Sequence, residues 1–297
     1  MLYLLLKVVS AVGMGLVLKQ ADTKGVARLP VVRINYGVAA VLAFFGCIAL
    51  HQETISRPTA ILAVITGAVF VAGLLIWAQA IRTSGLALSI VAMRTAIVIP
   101  VLASILIWHE RPTTLQLIGI AAALLALALV LWDTLRTPRH PESATSHSSF
   151  DIHHLPAAAL WLSALFLADG LVMTAAKVFN QRMPQNESFP FQTVIFISAF
   201  FITTIAYYIR KPRVVAETFN YGALLGAANL GNYAFLVMAL TVLPGVVVYP
   251  AIAAGEVGLM ALAGVFIWKE KVGVRSWLGI ALAVAALALI QLSPAAH

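Results

Sequence analysis

The chain is 297 residues long, 62% hydrophobic and only 10% charged, with a formal net charge of +8 and a mean hydropathy of +0.97. An ordinary soluble domain is nearer half apolar and a quarter charged, so too few charges are present to dress a water-facing surface, which argues against a soluble enzyme, a nucleic-acid binder or a disordered regulator. The 19 Lys and Arg against 11 Asp and Glu are scattered between apolar stretches, as charges flanking membrane spans are, and form no basic run for nucleic acid.

A helix needs about 20 apolar residues to cross a hydrocarbon core of roughly 30 Å. In chain order, segments 2–19, 30–50, 58–81, 84–107, 114–132, 156–176, 190–209, 218–241, 244–267 and 273–290 are predicted to meet that requirement. The first lacks a basic leader and is followed by further spans, so it is expected to be a retained helix rather than a signal peptide. Arg82-Thr83-Ser84-Gly85 reads as the turn between the third and fourth spans, and Leu243-Pro244-Gly245 as the turn between the eighth and ninth. No short alternating segments of an outer-membrane barrel occur. The lone Cys47 sets up no disulfide framework.

Residues 133–155 differ: they are polar, rich in Ser and Pro, and read as a linker. Four histidines lie there, His140, His147, His153 and His154. They are ligand types for a metal, but their irregular spacing favours a solvated linker, and neither a metal nor a cofactor is expected.

The linker divides two halves that repeat. Ile107-Trp108-His109-Glu110-Arg111 returns as Ile267-Trp268-Lys269-Glu270-Lys271, a shift of 160 residues, and the same shift maps Gly119, Gly85 and Pro30 onto Gly279, Gly245 and Pro190. A slightly shorter shift pairs Gly15-Leu16-Val17 with Gly170-Leu171-Val172. Each half, 1–132 and 156–297, therefore holds five spans, and an odd number inserts the second half upside down relative to the first. The expected architecture is an all-α integral membrane protein of ten transmembrane helices in two inverted five-helix repeats. Inverted repeats that enclose a site near the midplane characterise secondary transporters.

The fifth and tenth spans carry scarcely a polar side chain and are expected at the periphery, where the small residues Gly119, Ala123, Gly279 and Ala283 let them pack on a neighbour. Three ionisable residues lie deep in other spans: Arg94 in the fourth, Asp169 in the sixth and Glu256 in the ninth. Each costs a few kcal/mol at the bilayer centre unless paired or hydrated. Arg94 and Glu256 fall at nearly the same depth and at nearly equivalent places in the two halves, which reads either as a pair that substrate contacts or breaks, or as a static salt bridge. Asp169 is either a proton-coupling carboxylate or a structural partner of Lys7, Lys19 or a backbone group. Trp77, Gln79, Asn229, Asn232, Tyr233 and Tyr249 add amides and rings that suit a small polar or aromatic solute. Pro100 and Pro250 are candidate hinges or static kinks. Glu110 and Glu270 precede the fifth and tenth helices, where acidic groups favour the positive helix end, and Thr113 with Gln116 resembles a capping box.

Two five-span halves, each ending in Ile-Trp-x-Glu followed by a Leu and Gly-containing helix start, resemble the EamA domains of the drug/metabolite transporter superfamily over nearly the whole chain. The resemblance implies a central cavity lined by the first four helices of each half, alternating access by rocking bundles, and coupling to protons or exchange. It also implies both termini on the cytoplasmic side. The basic residues point the other way. Lys19, Lys24, Arg28, Arg33, Arg82, Arg136, Arg139, Arg210, Lys211, Arg213, Lys269, Lys271 and Arg275 fall on one side, against Lys7, Arg57, Arg111, Lys177 and Arg182 on the other. The positive-inside rule then puts both termini outside.

The leading functional expectation is efflux of a small organic solute (an amino acid, metabolite or drug-like compound) across the inner cell membrane by a monomer or homodimer. A flippase for a lipid-linked carrier, or a subunit of one, is the alternative. An enzyme is not expected, because no metal-ligand helix motif, nucleotide loop or nucleophile elbow is present.

Overall fold

A computed structural model of the chain describes residues 2–52, 54–136, 155–212 and 214–268, with 277–279, 281, 282, 284–286 and 289. Among them no strand occurs. The helices are α1 (Leu2–Thr23), α2 (Arg28–Ala49), α3 (Arg57–Thr95), α4 (Val98–Leu106), α5 (Thr114–Arg136), α6 (Leu155–Arg182), α7 (Ser188–Arg210), α8 (Glu217–Val242) and α9 (Gly245–Trp268), with a 3-10 turn at Gln185–Glu187. Seven helical stretches among the described residues are long and apolar enough to cross a membrane, the make-up of a multi-pass membrane protein. The linker histidines, Lys269, Glu270 and Ala283 lie outside the described residues, as does half of the tenth expected span. The linker is shorter than expected at its start, since α5 continues to Arg136.

The chain forms two compact units, Met1–Val71 with Thr174–Val248, and Ala72–Met173 with Tyr249–His297. In the first, α1 packs on α8, and α2 packs on both α7 and α8. Leu4, Val8 and Val12 are buried at successive four-residue steps, which gives α1 one inward face. Glycine lets backbones meet: a Cβ on Gly226 of α8 would stand 2.6 Å from the Asn35 carbonyl oxygen of α2, and one on Gly67 of α3 would stand 2.6 Å from the Ile195 carbonyl oxygen of α7. Between these crossings lies an aromatic core in which Phe70 meets Tyr233 edge-on at 5.7 Å, and Phe179 stacks on Phe191 at 4.4 Å.

The ends of this unit are tied by polar groups. Glu187 accepts from the Ser56 N–H (3.1 Å) and hydroxyl (2.8 Å), just before α3. Reciprocally, Gln52 Oε1 accepts from the Phe189 N–H (3.0 Å) in the first turn of α7, whose own N-cap residue makes no side-chain cap. Each connection thus satisfies donors at the start of a helix elsewhere in the sequence.

In the second unit α3 departs from expectation. Helical hydrogen bonding runs unbroken through Arg82–Gly85. The chain nevertheless turns back. Gly73 faces Ala168 of α6 at 3.7 Å from an added Cβ, while Ile99 packs on Gly170, two residues further along the same helix. On a straight helix residues 73 and 99 would lie about 39 Å apart. The expected reversal is present, built from helical rather than open backbone because no proline interrupts it, whereas the α8–α9 turn has Pro244. Thr83 Oγ1 donates to the Gln79 carbonyl at 3.0 Å, the kind of back-bond that bends helices.

The break between α3 and α4 falls at Ala96–Ile97, four residues before Pro100. Proline has no N–H for the Ala96 carbonyl, which accepts instead from Ile99 N at 3.0 Å. The Thr113 capping box forms, with Thr113 N donating to Gln116 Oε1 (2.9 Å) and Gln116 N to Thr113 Oγ1 (3.3 Å). Ala123 and Ala126 of α5, Ala254 of α9 and Ala286 make a small-residue seam, while Leu117, Ile118 and Leu125 of α5 face outward.

Candidate functional site

Arg94 and Glu256 are brought together in the second unit: the Arg94 guanidinium donates from Nη1 to Glu256 Oε2. The pair joins the last turn of α3 to the middle of α9. At the end of α3 the guanidinium also sits where the helix dipole favours a cation. Around Glu256 the chain is small and buried, with Ala253, Ala254, Gly255 and Gly258, so neighbouring helices come close and water is shut out. The two partners differ in access. The Glu256 side chain is 4% exposed and the Arg94 side chain 29%. A carboxylate held that deep is stable only while a cation or a proton neutralises it.

In this unit α3, α4 and α9 each meet α6. Tyr249 of α9, seven residues before Glu256 and hence on the same face, donates its hydroxyl to the Met173 carbonyl at 3.0 Å. Asp169 is half-buried one residue before Gly170, the point where Ile99 of α4 packs closely. Pro100, the hinge candidate of the first half, therefore lies beside that crossing. Trp77 and Gln79 lie on α3, as does Arg94, in the same unit. Pro250 lies inside α9, which runs through it without a break.

Asn229, Asn232 and Tyr233 belong to the first unit. Asn229 Nδ2 donates to Asn35 Oδ1 at 3.1 Å in a buried pair. Tyr233 is 3% exposed, packed by Phe70 and Phe191. Its hydroxyl and Asn232 Oδ1 are buried without a hydrogen-bond partner among the described residues, as is Gln192 Oε1. Each such group costs about 1–3 kcal/mol until something satisfies it.

Three basic residues require correction. Lys7 and Lys177, expected to flank spans, lie inside α1 and α6 with only 5% and 1% exposure. Lys7 falls in the Leu4–Val8 face that α1 turns inward, so its burial follows from helix periodicity that a count of loop charges ignores. Arg82 likewise lies within α3 rather than in a loop. Asn35, the one side-chain amide in the 30–50 span, was a visible signal for the buried pair with Asn229.

No family model matches the chain. It is 24% identical over 218 residues to an uncharacterized protein of Haemophilus influenzae, covering 72% of this chain and 69% of that one. A solved crystal structure of a protein with 14% identity matches with a TM-score of 0.75, over 98% of this chain and 96% of the other. The likeness extends to the fold.

Proposed function

We propose that the protein is a secondary transporter of the EamA type in the drug/metabolite transporter superfamily. It resides in the inner cell membrane, with ten helices in two inverted repeats, and moves a small organic solute outward by alternating access. The observation that carries this reading is the Arg94–Glu256 pair inside apolar helices. Structural economy does not explain it, because apolar residues of like volume usually stabilise as well as a buried ion pair. A pair of this kind is useful where a charged solute or a proton must compete for one partner. Protonation of Glu256, or an anionic group on the solute, releases Arg94, which has the more open side chain of the two.

The repeat has packing support of its own. Asn35 and Ile195 are equivalent at the 160-residue shift, and each carbonyl is approached by a glycine of another helix at the same distance, Gly226 and Gly67 respectively. The two approaching glycines differ from that register by one residue, Gly67 corresponding to Ala227, so the two crossings are similar and lend support to a duplicated, inverted unit. With Lys7 and Lys177 removed from the sparse side and Arg82 from the rich one, the remaining basic residues still favour the rich side, which supports both termini outside.

Counterflow into proteoliposomes tests the function. Vesicles preloaded in turn with amino acids, nucleosides, sugars or amphipathic cations should take up labelled solute of one class faster than protein-free vesicles. If no class exchanges and a pH gradient changes nothing, the transport reading fails. Movement of a lipid-linked carrier without solute flux would instead make the protein a flippase.

A further inference from the structure

At the end of the first unit where α2 begins and α7 ends, Arg33 is held in an unusual manner. Its guanidinium lies over the Tyr207 ring at 4.6 Å, with Phe200 and Tyr208 each at 5.7 Å. Nε donates to Thr204 Oγ1 at 3.2 Å. Gly37, one turn along α2, makes room for Phe200, whose ring would stand 3.2 Å from an added Cβ. Nε and the ring faces thus fix the plane of the guanidinium, while Nη1 and Nη2 make no hydrogen bond to any described residue. A planar fork with both outer arms unused matches the oxygens of a phosphate.

More positive charge converges there. Arg210 and Lys211 follow Tyr207 by three and four residues, one helical turn on, and both are exposed. Lys211 has φ 42°, and its N–H bonds the Tyr207 carbonyl at 2.9 Å. Glycine is the usual residue in that left-handed cap, so a lysine holds its charge there against a conformational cost of about 1–2 kcal/mol. Asp22, the acidic residue at the end of α1, is occupied by Arg28 at 2.5–2.8 Å. From this basic end the outer face of α7 runs on as Ile209, Ile205 and Phe201, exposed at 76%, 61% and 62%.

We propose that Arg33, with Arg210 and Lys211, binds the phosphate of an anionic phospholipid whose acyl chains lie along that face of α7. Anionic headgroups are drawn to basic sites between helix ends. The rings around Arg33 keep water from one side of the guanidinium and strengthen its charge-assisted bonds.

The test titrates the purified full chain in mild detergent with phosphatidylglycerol, phosphatidylcholine or inorganic phosphate, and counts bound molecules by native mass spectrometry. The wild type should retain one phosphatidylglycerol, bind phosphatidylcholine much more weakly and gain nothing from inorganic phosphate. Arg33→Ala should weaken phosphatidylglycerol binding by roughly tenfold or more, and the exposed double change Arg210→Ala/Lys211→Ala by about tenfold. Arg57→Ala, which removes one positive charge at the start of α3, should leave binding within about twofold. The double change carries the test by itself if Arg33→Ala does not fold. Equal binding of the two lipids, an equal loss in Arg57→Ala, or an Arg33-dependent effect of inorganic phosphate alone would each overturn the proposal.

Discussion

The unequal exposure of the two charged partners predicts unequal costs for removing them. Arg94→Met takes the guanidinium from a carboxylate whose side chain is 4% exposed; breaking a buried pair in this way costs about 3–5 kcal/mol. Glu256→Gln leaves a guanidinium whose side chain is 29% exposed and which can reach water or the end of α3, so the expected cost is only about 1–2 kcal/mol. The double variant leaves neither charge stranded. It should lose less than the sum of the single variants, by a coupling of about 1–3 kcal/mol. Equilibrium unfolding in mixed detergent micelles, followed by tryptophan fluorescence, yields all three values. Equal single costs, or losses that simply add, would refute both the contact and the asymmetry.

Three further outcomes follow from the packing. Gly67→Ala and Gly226→Ala each force a Cβ to within 2.6 Å of a backbone oxygen and should destabilise by about 1–3 kcal/mol, whereas Gly73→Ala, with 3.7 Å of room, should be tolerated; thermal melts in detergent discriminate the two classes. Asn229→Leu strands the Asn35 amide and should cost about 1–3 kcal/mol, with part recovered in the Asn35→Leu/Asn229→Leu double variant; a double variant worse than the sum of its singles would count against the pair. Glu187→Ala and Gln52→Ala each uncap a helix and should lower stability by about 1 kcal/mol, which the same melts would register as a fall in midpoint.

Much of the fold was legible because its grammar is hydropathy. The predicted spans at 30–50, 190–209 and 218–241 match α2, α7 and α8 to within a few residues, since a run of about 20 apolar residues admits few other structures in a membrane. The reversal between the third and fourth spans was also visible, but its form was not. Thr83, Ser84 and Gly85 permit helical backbone as readily as a loop, and only Pro244 in the second half forces an opening. The Arg94–Glu256 pair was legible from depth alone, because two opposite charges in apolar helices have few other partners. Lys7, Lys177 and Asn35 were harder to read. A lysine near a helix end belongs to the interface or the interior depending on which face it occupies, and that face is set by contact with α8 or α7 rather than by local sequence. Arg33 was counted as one more flanking charge, because its ring cage comes from residues more than 160 positions away.

The most direct measurement is counterflow in proteoliposomes that carry equal amounts of folded wild type, Glu256→Gln, Arg94→Met and the double variant, assayed with whichever solute class the wild type exchanges. If the ion pair is the moving part of a transporter, both single variants lose most of the flux, and the double variant remains inactive even where its stability recovers. Wild-type flux in the folded single variants would make the pair a structural tie and contradict the proposed role.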